Sequence, residues 1–250
     1  MKKWLAFFLI LGITFTAALF IHADVYIKEK SHTDGYYYGG VNRPAEDSTN
    51  ELWLGDGKIA HITENSITII EKEKNRALII NKTDKTYVET TLPIDLSKLG
   101  PEQVAPIIQG IRYQGTVKEI AETKTIGERK CKGYTLNTYS MYQGERNNEL
   151  DTTLWASEDL PFDMNKYRDL VFNIYRLRNY SNELLEEIKK VDGFRIAAES
   201  LFYPKGFSVK RTTEVLEISA KEPPPGVYSV PEGFTKNERF TIPELRRLLG

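Results

Sequence analysis

The sequence predicts a mainly β (α+β) fold, an antiparallel sheet with a helical cover, and three observations carry that prediction. Short apolar or alternating runs recur with turn residues between them, the pattern of consecutive antiparallel strands. One long stretch, Asp163 to Val191, instead repeats its apolar residues at helical spacing. Some strand-like runs, Leu52-Trp53-Leu54 and Leu78-Ile79-Ile80, are apolar toward both faces and need cover on both.

The chain opens with Lys2 and Lys3, then an uncharged apolar stretch from Trp4 to Ile21, then Ala23 in front of the polar run that begins at Asp24. That order is a Sec-type secretory signal, with the cut expected after Ala23 and the mature chain in the periplasm or another extracytoplasmic compartment. The stretch approaches the ~20 residues that span a bilayer, so an uncleaved anchor is the alternative. No cysteine stands near the cut, so a diacylglyceryl lipoprotein lacks its attachment point.

Strands are expected at Val25–Lys30 and Tyr36–Val41, followed by a polar loop from Asn42 to Asn50. A meander then runs through Glu51–Leu54, Lys58–Thr63, Ser66–Glu71, Ala77–Asn81 and Thr86–Thr90, its breaks supplied by residues that tolerate tight turns. Between Pro93 and Gln109 the period shifts to short helical pieces, with Pro101 at a permitted helix start and Gly110 as a stop. Strands resume at Thr116–Thr123, Lys130–Met141 and Leu150–Ala156, rich in β-branched and aromatic residues. The Asp163–Val191 stripe lapses at Arg178 to Asn182, which predicts two helices, or one bent there. Phe194–Tyr203 and Phe207–Ala220 follow as strands, with Phe194, Ile196 and Ala198 alternating against Arg195. A Pro-rich crossover at Glu222–Gly226 then leads to a last edge strand at Val227–Val230. The organisation expected is a signal peptide over 1–23, one β domain over 24–234, and a tail over 235–250 whose Ile242, Leu245, Leu248 and Leu249 suit a short amphipathic helix.

Composition narrows function. The 34 Lys+Arg and 35 Asp+Glu of the whole chain nearly balance. Loss of Lys2 and Lys3 with the leader leaves 32 against 35, close to −3 on about 227 residues, with no nucleic-acid footprint. Cys131 is the only cysteine, so an internal disulfide and paired-thiolate metal sites are excluded, and a buried strand position is expected for it.

Catalytic signatures are missing. After the leader only His32 and His61 remain, too few for a multi-histidine metal site, and no G-x-S-x-G turn presents a serine to either. Gly39-Gly40 and Gly55-x-Gly57 lack a following helix and a P-loop lysine. Carboxylate pairs such as Glu149 with Asp151, or Glu158 with Asp159, read as solvated turns among many acids. Arg176, Arg178 and Tyr180 read as a helix surface with acids nearby. The Tyr36-Tyr37-Tyr38 run alternates across a strand, so one face packs and the other presents a ring outward. Ordinary packing with hydroxyls on polar partners is the favoured reading, and a carbohydrate- or lipid-contacting platform or a partner-docking face the alternative. Asn81-Lys82-Thr83 and Asn179-Tyr180-Ser181 are N-glycosylation triplets that matter only in a eukaryotic secretory route.

Several segments in order resemble an exported bacterial family, the domain of unknown function 4412 (DUF4412), which is similar in fold to the lipoprotein carrier LolA. They are Tyr26 to Gly35 with the tyrosine run, Leu52 to Lys58, Lys85 to Thr90 with Leu92-Pro93, and Lys130 to Tyr134. Asp192 to Ile196, Val215 to Ile218 and Tyr228 to Phe234 complete them. The resemblance implies a strongly curved, incomplete LolA-like antiparallel barrel with helices across its concave face. One departure is that this chain begins its domain with a strand where LolA has a helix. The family's role is unassigned, so the resemblance transfers no catalytic residues.

The expectation that follows is a non-enzymatic exported protein, without cofactor or metal, holding an apolar ligand (a lipid or lipoprotein acyl chain) between sheet and helices. The wall residues expected are Trp53, Ile59, Ile69, Leu78, Ile80, Tyr87, Leu136, Leu154, Trp155, Val171 and Ile174. The alternative is an envelope structural or interaction module with a solid core that docks a protein partner. No nucleic acid is expected, and peripheral or no membrane association after cleavage.

Overall fold

The computed structural model describes residues 23–142, 144–203 and 207–249, so the expected leader lies outside the described residues apart from Ala23. The first half is a run of strands: β1 (Asp24–Thr33), β2 (Tyr36–Tyr38), β3 (Val41–Arg43), β4 (Glu46–Gly55), β5 (Lys58–Ile62), β6 (Ser66–Glu71), β7 (Arg76–Asn81) and β8 (Thr86–Thr91). Two 3-10 turns and α1 (Ala105–Gly110) lead to β9 (Tyr113–Ile126), β10 (Arg129–Tyr142) and β11 (Glu145–Ser157). Helices α2 (Arg168–Leu177) and α3 (Asn182–Ile188) follow. The chain then forms β12 (Phe194–Phe202), β13 (Val209–Lys221), β14 (Thr235–Asn237) and α4 (Ile242–Leu249).

Twelve of these strands make one sheet in the order β14-β8-β7-β6-β5-β4-β1-β13-β12-β11-β10-β9, while β2 and β3 form a separate hairpin. Every ladder is antiparallel except β14 on β8. Strand β1 sits in the middle, paired with β4 on one side and β13 on the other. The mainly β, largely antiparallel fold with few helices is therefore as expected, but the strongly curved incomplete barrel is not. The sheet neither closes nor curls strongly: its edges, β9 and β14, stand at opposite ends of the order. Separate pieces of chain supply the cover that closure would have given.

The β4–β8 half is buried on both sides. Toward one face point Ile27, Leu52, Leu54, Ile59, Ile70, Ala77, Ile79 and Val88, packed under Leu170, Val171, Ile174 and Leu177 of α2. Phe240 and Leu245, from the segment expected as a tail, join the same cluster. Toward the other face point Tyr26, Trp53, Ala60, Ile69, Leu78 and Ile80, covered by Val227, Tyr228, Val230 and Phe234. The edge strand expected at Val227–Val230 is thus a turn-rich cover, and the edge is the short parallel β14 instead. Packing explains the change, because a row of apolar side chains with no other lid lies directly beneath. The β9–β13 half is buried on one face only, where Val117, Tyr134, Leu154, Ala156 and Ala198 pack against Ile188 and Val191, from α3 and the turn beyond it.

Local corrections have equally local causes. Tyr36–Val41 is not one strand, because Gly39 and Gly40 (φ 59° and 81°) turn the chain into the β2–β3 hairpin. The polar stretch expected as a loop enters β4 at Glu46, since backbone pairing with β1 continues to Thr33–Glu46 whatever the side chains. The helical region does divide: Asn179 takes φ 62°, and the Ser181 hydroxyl accepts a hydrogen bond from the Leu184 amide at 3.2 Å to start α3. Cys131 is a buried strand residue on β10, as expected.

Two-sided burial makes a direct prediction. Ile79 and Ile80 are adjacent, point to opposite faces, and are both 0% exposed. Ile79→Ala and Ile80→Ala should each lower unfolding free energy by about 2–5 kcal/mol, measured by urea denaturation. A sheet with one wet face would leave one of the two close to neutral.

Candidate functional site

The eleven expected wall residues do not converge. Ile59, Val171 and Ile174 belong to the cluster beneath α2. Trp53, Ile69, Leu78, Ile80 and Tyr87 lie on the opposite face of the sheet, because successive residues of a strand point to opposite faces. Leu136 and Leu154 join the third cluster, under α3. Trp155 stands outside all three, with the Lys124 ammonium 3.8 Å above its ring. Two open clefts mark the surface, one of about 290 Å³ beside the 91–98 loop and one of about 230 Å³ around Lys118, Thr135 and Asp151. Of the eleven residues only Leu136 lines either.

What the fold does bring together is charge, at the place where α2 ends over the sheet. The apolar stripe of α2 stops at Leu177. Arg178 follows at the helix cap, and Asn179 turns the chain toward α3. The junction is pinned: the Asn179 side-chain amide donates to the Ile108 carbonyl at 2.8 Å, and Tyr113 exchanges backbone bonds with Asn179 and Ser181. Tyr180 stacks on Tyr175 with ring centres 5.5 Å apart and meets Tyr113 at 6.0 Å. Beneath this aromatic rim the sheet supplies Glu29 from β1, His61 from β5, Arg195 from β12 and Arg211 from β13.

Two β-bulges set which β12 and β13 residues face the helices. Strict alternation would turn Arg195 away from Ile196 and Ala198. Instead Ala197 pairs with Trp155 and Arg195 pairs with Ala156, so Ile196 is the extra residue, and Arg195 lands on the helix-covered face. A second irregularity lies where Lys28 pairs with Glu217 and Glu29 with Val215, placing Leu216 opposite no partner. The Arg195 Nη2 then donates to Glu29 Oε1 at 2.7 Å. The expectation that Arg195 faces away is corrected by the bulge, which leaves no mark in hydrophobic periodicity. Arg178, expected among helix acids, lies within electrostatic reach of Arg211, His61 and Glu29.

The electrostatics follow from enclosure and neighbours. Burial alone would raise the Glu29 carboxyl, but the Arg195 guanidinium outweighs it and holds that carboxyl below the usual range. Burial pushes His61 down to about 4, with Arg178 and Arg195 adding to the effect against Glu29, so the imidazole is neutral at pH 7. Burial, then Arg178 and Arg195, press Arg211 below its ordinary value. Three guanidiniums therefore act on one carboxylate, and Glu46 acts on Arg211 as well. Among the described residues no group of three or more His, Cys, Asp and Glu could hold a metal. The chemistry of the seam is that of a hydrogen-bond donor set flanked by tyrosine rings.

Other sequence features resolve as structure. Asn81 and Asn179 of the glycosylation triplets are buried, and each amide is spent on Asp84 or on the Ile108 carbonyl. His32 lies on the exposed side of β1 between Asp34 and Asp47. Compared with known proteins, the chain matches no family model and no curated protein.

The depressed His61 sets a pH window. Between pH 6.5 and about 4 the unfolded chain takes up a proton there that the folded chain refuses, so stability falls as pH drops through that interval. The effect is at most about 3 kcal/mol before solvent screening. His61→Gln should flatten the fall measured by thermal melts from pH 7 to 5, while the Glu29 contribution, lost only further into acid, persists.

Proposed function

We propose that the protein is an exported, non-enzymatic binding protein that seats one amphipathic, lipid-like molecule along the seam between α2–α3 and the sheet. The observation that carries this reading is the interrupted cover. The helical lid ends over the sheet and leaves Tyr113, Tyr175 and Tyr180 beside a polar floor that carries Arg195 and Arg211, with Arg178 at the rim. Apolar rings beside a few convergent donors are the composition of small-molecule sites. An extracytoplasmic place of action follows from the leader pattern expected over Met1 to Ala23. The ligand lies along the seam rather than inside a barrel, because the eleven expected wall residues pack in separate places.

A second reading, docking of an envelope protein, has an observation of its own. At the β2–β3 hairpin Tyr37 is 67% exposed and Tyr38 and Val41 are each 52% exposed, with Phe207 about 6 Å from the Tyr36 and Tyr38 rings. Exposed aromatics in a group are a common mark of contact surfaces.

Native mass spectrometry of protein taken from its own envelope without detergent washing should show one added amphiphile per chain, released by organic solvent. Tyr180→Ala should lower that occupancy several-fold, and Tyr37→Ser/Tyr38→Ser should leave it unchanged. Clean protein that also fails to take up a fluorescent fatty acid sinks the binding reading. Loss of an envelope crosslink in the hairpin variant, with no ligand found, favours the docking reading instead.

A further inference from the structure

We infer that the seam contains an oxyanion site, in which Arg195 and Arg211, with Arg178 at the rim, bind a carboxylate or phosphate group of the ligand. This deepens the seam reading above and rests on it.

The first argument is the charge count. Glu29 pairs directly with Arg195, and the same carboxylate is within electrostatic reach of Arg178 and Arg211, with Glu46 also reaching Arg211. Guanidiniums held close together repel one another, and His61, kept neutral, adds no compensating charge. An arriving oxyanion supplies what the set lacks.

The second argument is the geometry of Arg195. Its Nη2 is engaged by a single oxygen of Glu29 at 2.7 Å. Its Nε is buried and hydrogen-bonds to no protein group. A guanidinium edge favours two-point binding of a planar oxyanion, and a buried donor without a partner costs about 1–3 kcal/mol. The cost is relieved when a ligand oxygen accepts from Nε. Tyr175 and Tyr180 flank the same guanidinium, placing two phenol groups beside the anion.

The third argument is access. Arg178 and Arg211 are exposed while Arg195 is half-buried, so the donors form a path from solvent inward. An acidic headgroup would reach the inner arginine with its tail against the tyrosine rings.

The test labels arginine side chains of the full chain with 15N and follows their Nε–H resonances during titration with acetate, inorganic phosphate, laurate and methyl laurate. Saturable shifts of the Arg195 Nε–H are expected with anions, and Arg211→Gln or Arg178→Gln should weaken them roughly tenfold without loss of thermal stability. Lys118→Gln, at the cleft around Thr135 and Asp151, should change nothing. Laurate binding far tighter than acetate identifies an acidic lipid as the source, and equal binding identifies a free oxyanion. Methyl laurate binding as tightly as laurate, indifferent to Arg211→Gln, overturns the oxyanion site and leaves the seam standing. Failure of all four ligands to bind removes both.

Discussion

The structure depends on a sheet half that cannot leave either face in water. From β4 to β8 consecutive side chains are apolar, as in Leu78-Ile79-Ile80, so neighbouring residues within one strand need different lids. The chain meets this with sequence that is remote from the meander. Helix α2, Phe240 and Leu245 close one face, and the segment from Val227 to Phe234 closes the other. That second lid is fastened at the start of β1, where the Tyr228 hydroxyl donates to Asp24 at 2.5 Å. Gly55 makes the fastening fit: a Cβ there would stand 2.9 Å from both the Asp24 carboxylate and the Tyr228 hydroxyl.

The other half obeys a different rule, and the seam is where the rules meet. Strands β9 to β13 bury one face only, so a single short helix suffices for them. The lid must therefore pass from the two-sided core to the one-sided core, and it breaks at Arg178 to Ser181 as it does so. Backbone bonds to Tyr113 and the Asn179 bond to Ile108 hold the break in place, which makes the opening a fixed feature. The bulge at Ile196 then turns Arg195 into the opening. Bulges are favoured where a strand must re-aim one side chain against the alternation of its neighbours.

Much of this was legible in the sequence because period and turn chemistry are local properties. The meander from Lys58 to Thr90 could be read nearly strand by strand, since Gly57 and Asn75 (φ 62° and 48°) mark turns whatever surrounds them. The division of α2 from α3 was legible for the same reason. The role of Val227 to Phe234 was not, because a short apolar run reads as a strand until the face it covers is known. Nor did the apolar wall converge as the sequence suggested: composition identifies greasy residues, but only register places Ile59 beneath α2 and Ile69 and Ile80 on the far side. The seam was the least legible. Its glutamate, histidine and arginines come from five separate stretches of chain, and Arg195 was assigned to the wrong face by the alternation rule that served elsewhere.

Whole-chain charge conceals the seam as well. The 34 basic and 35 acidic residues of the full sequence cancel, and most surface pairs, such as Lys132 with Asp192, cancel locally too. An exposed pair of that kind contributes little, because water already solvates both partners. The Arg195–Glu29 pair is different, since its partners are largely withdrawn from water and the gain in contact must offset desolvation. A pair kept only for stability would be balanced and fully hydrogen-bonded, because every loose donor adds to that cost. Here the Arg195 Nε is loose and two further arginines lean on the same carboxylate. Among the described residues the Trp155 Nε1 is the other buried donor without a partner, but it stands alone, whereas the loose Arg195 donor lies where charges of one sign gather, the place an oxyanion of the kind proposed would relieve.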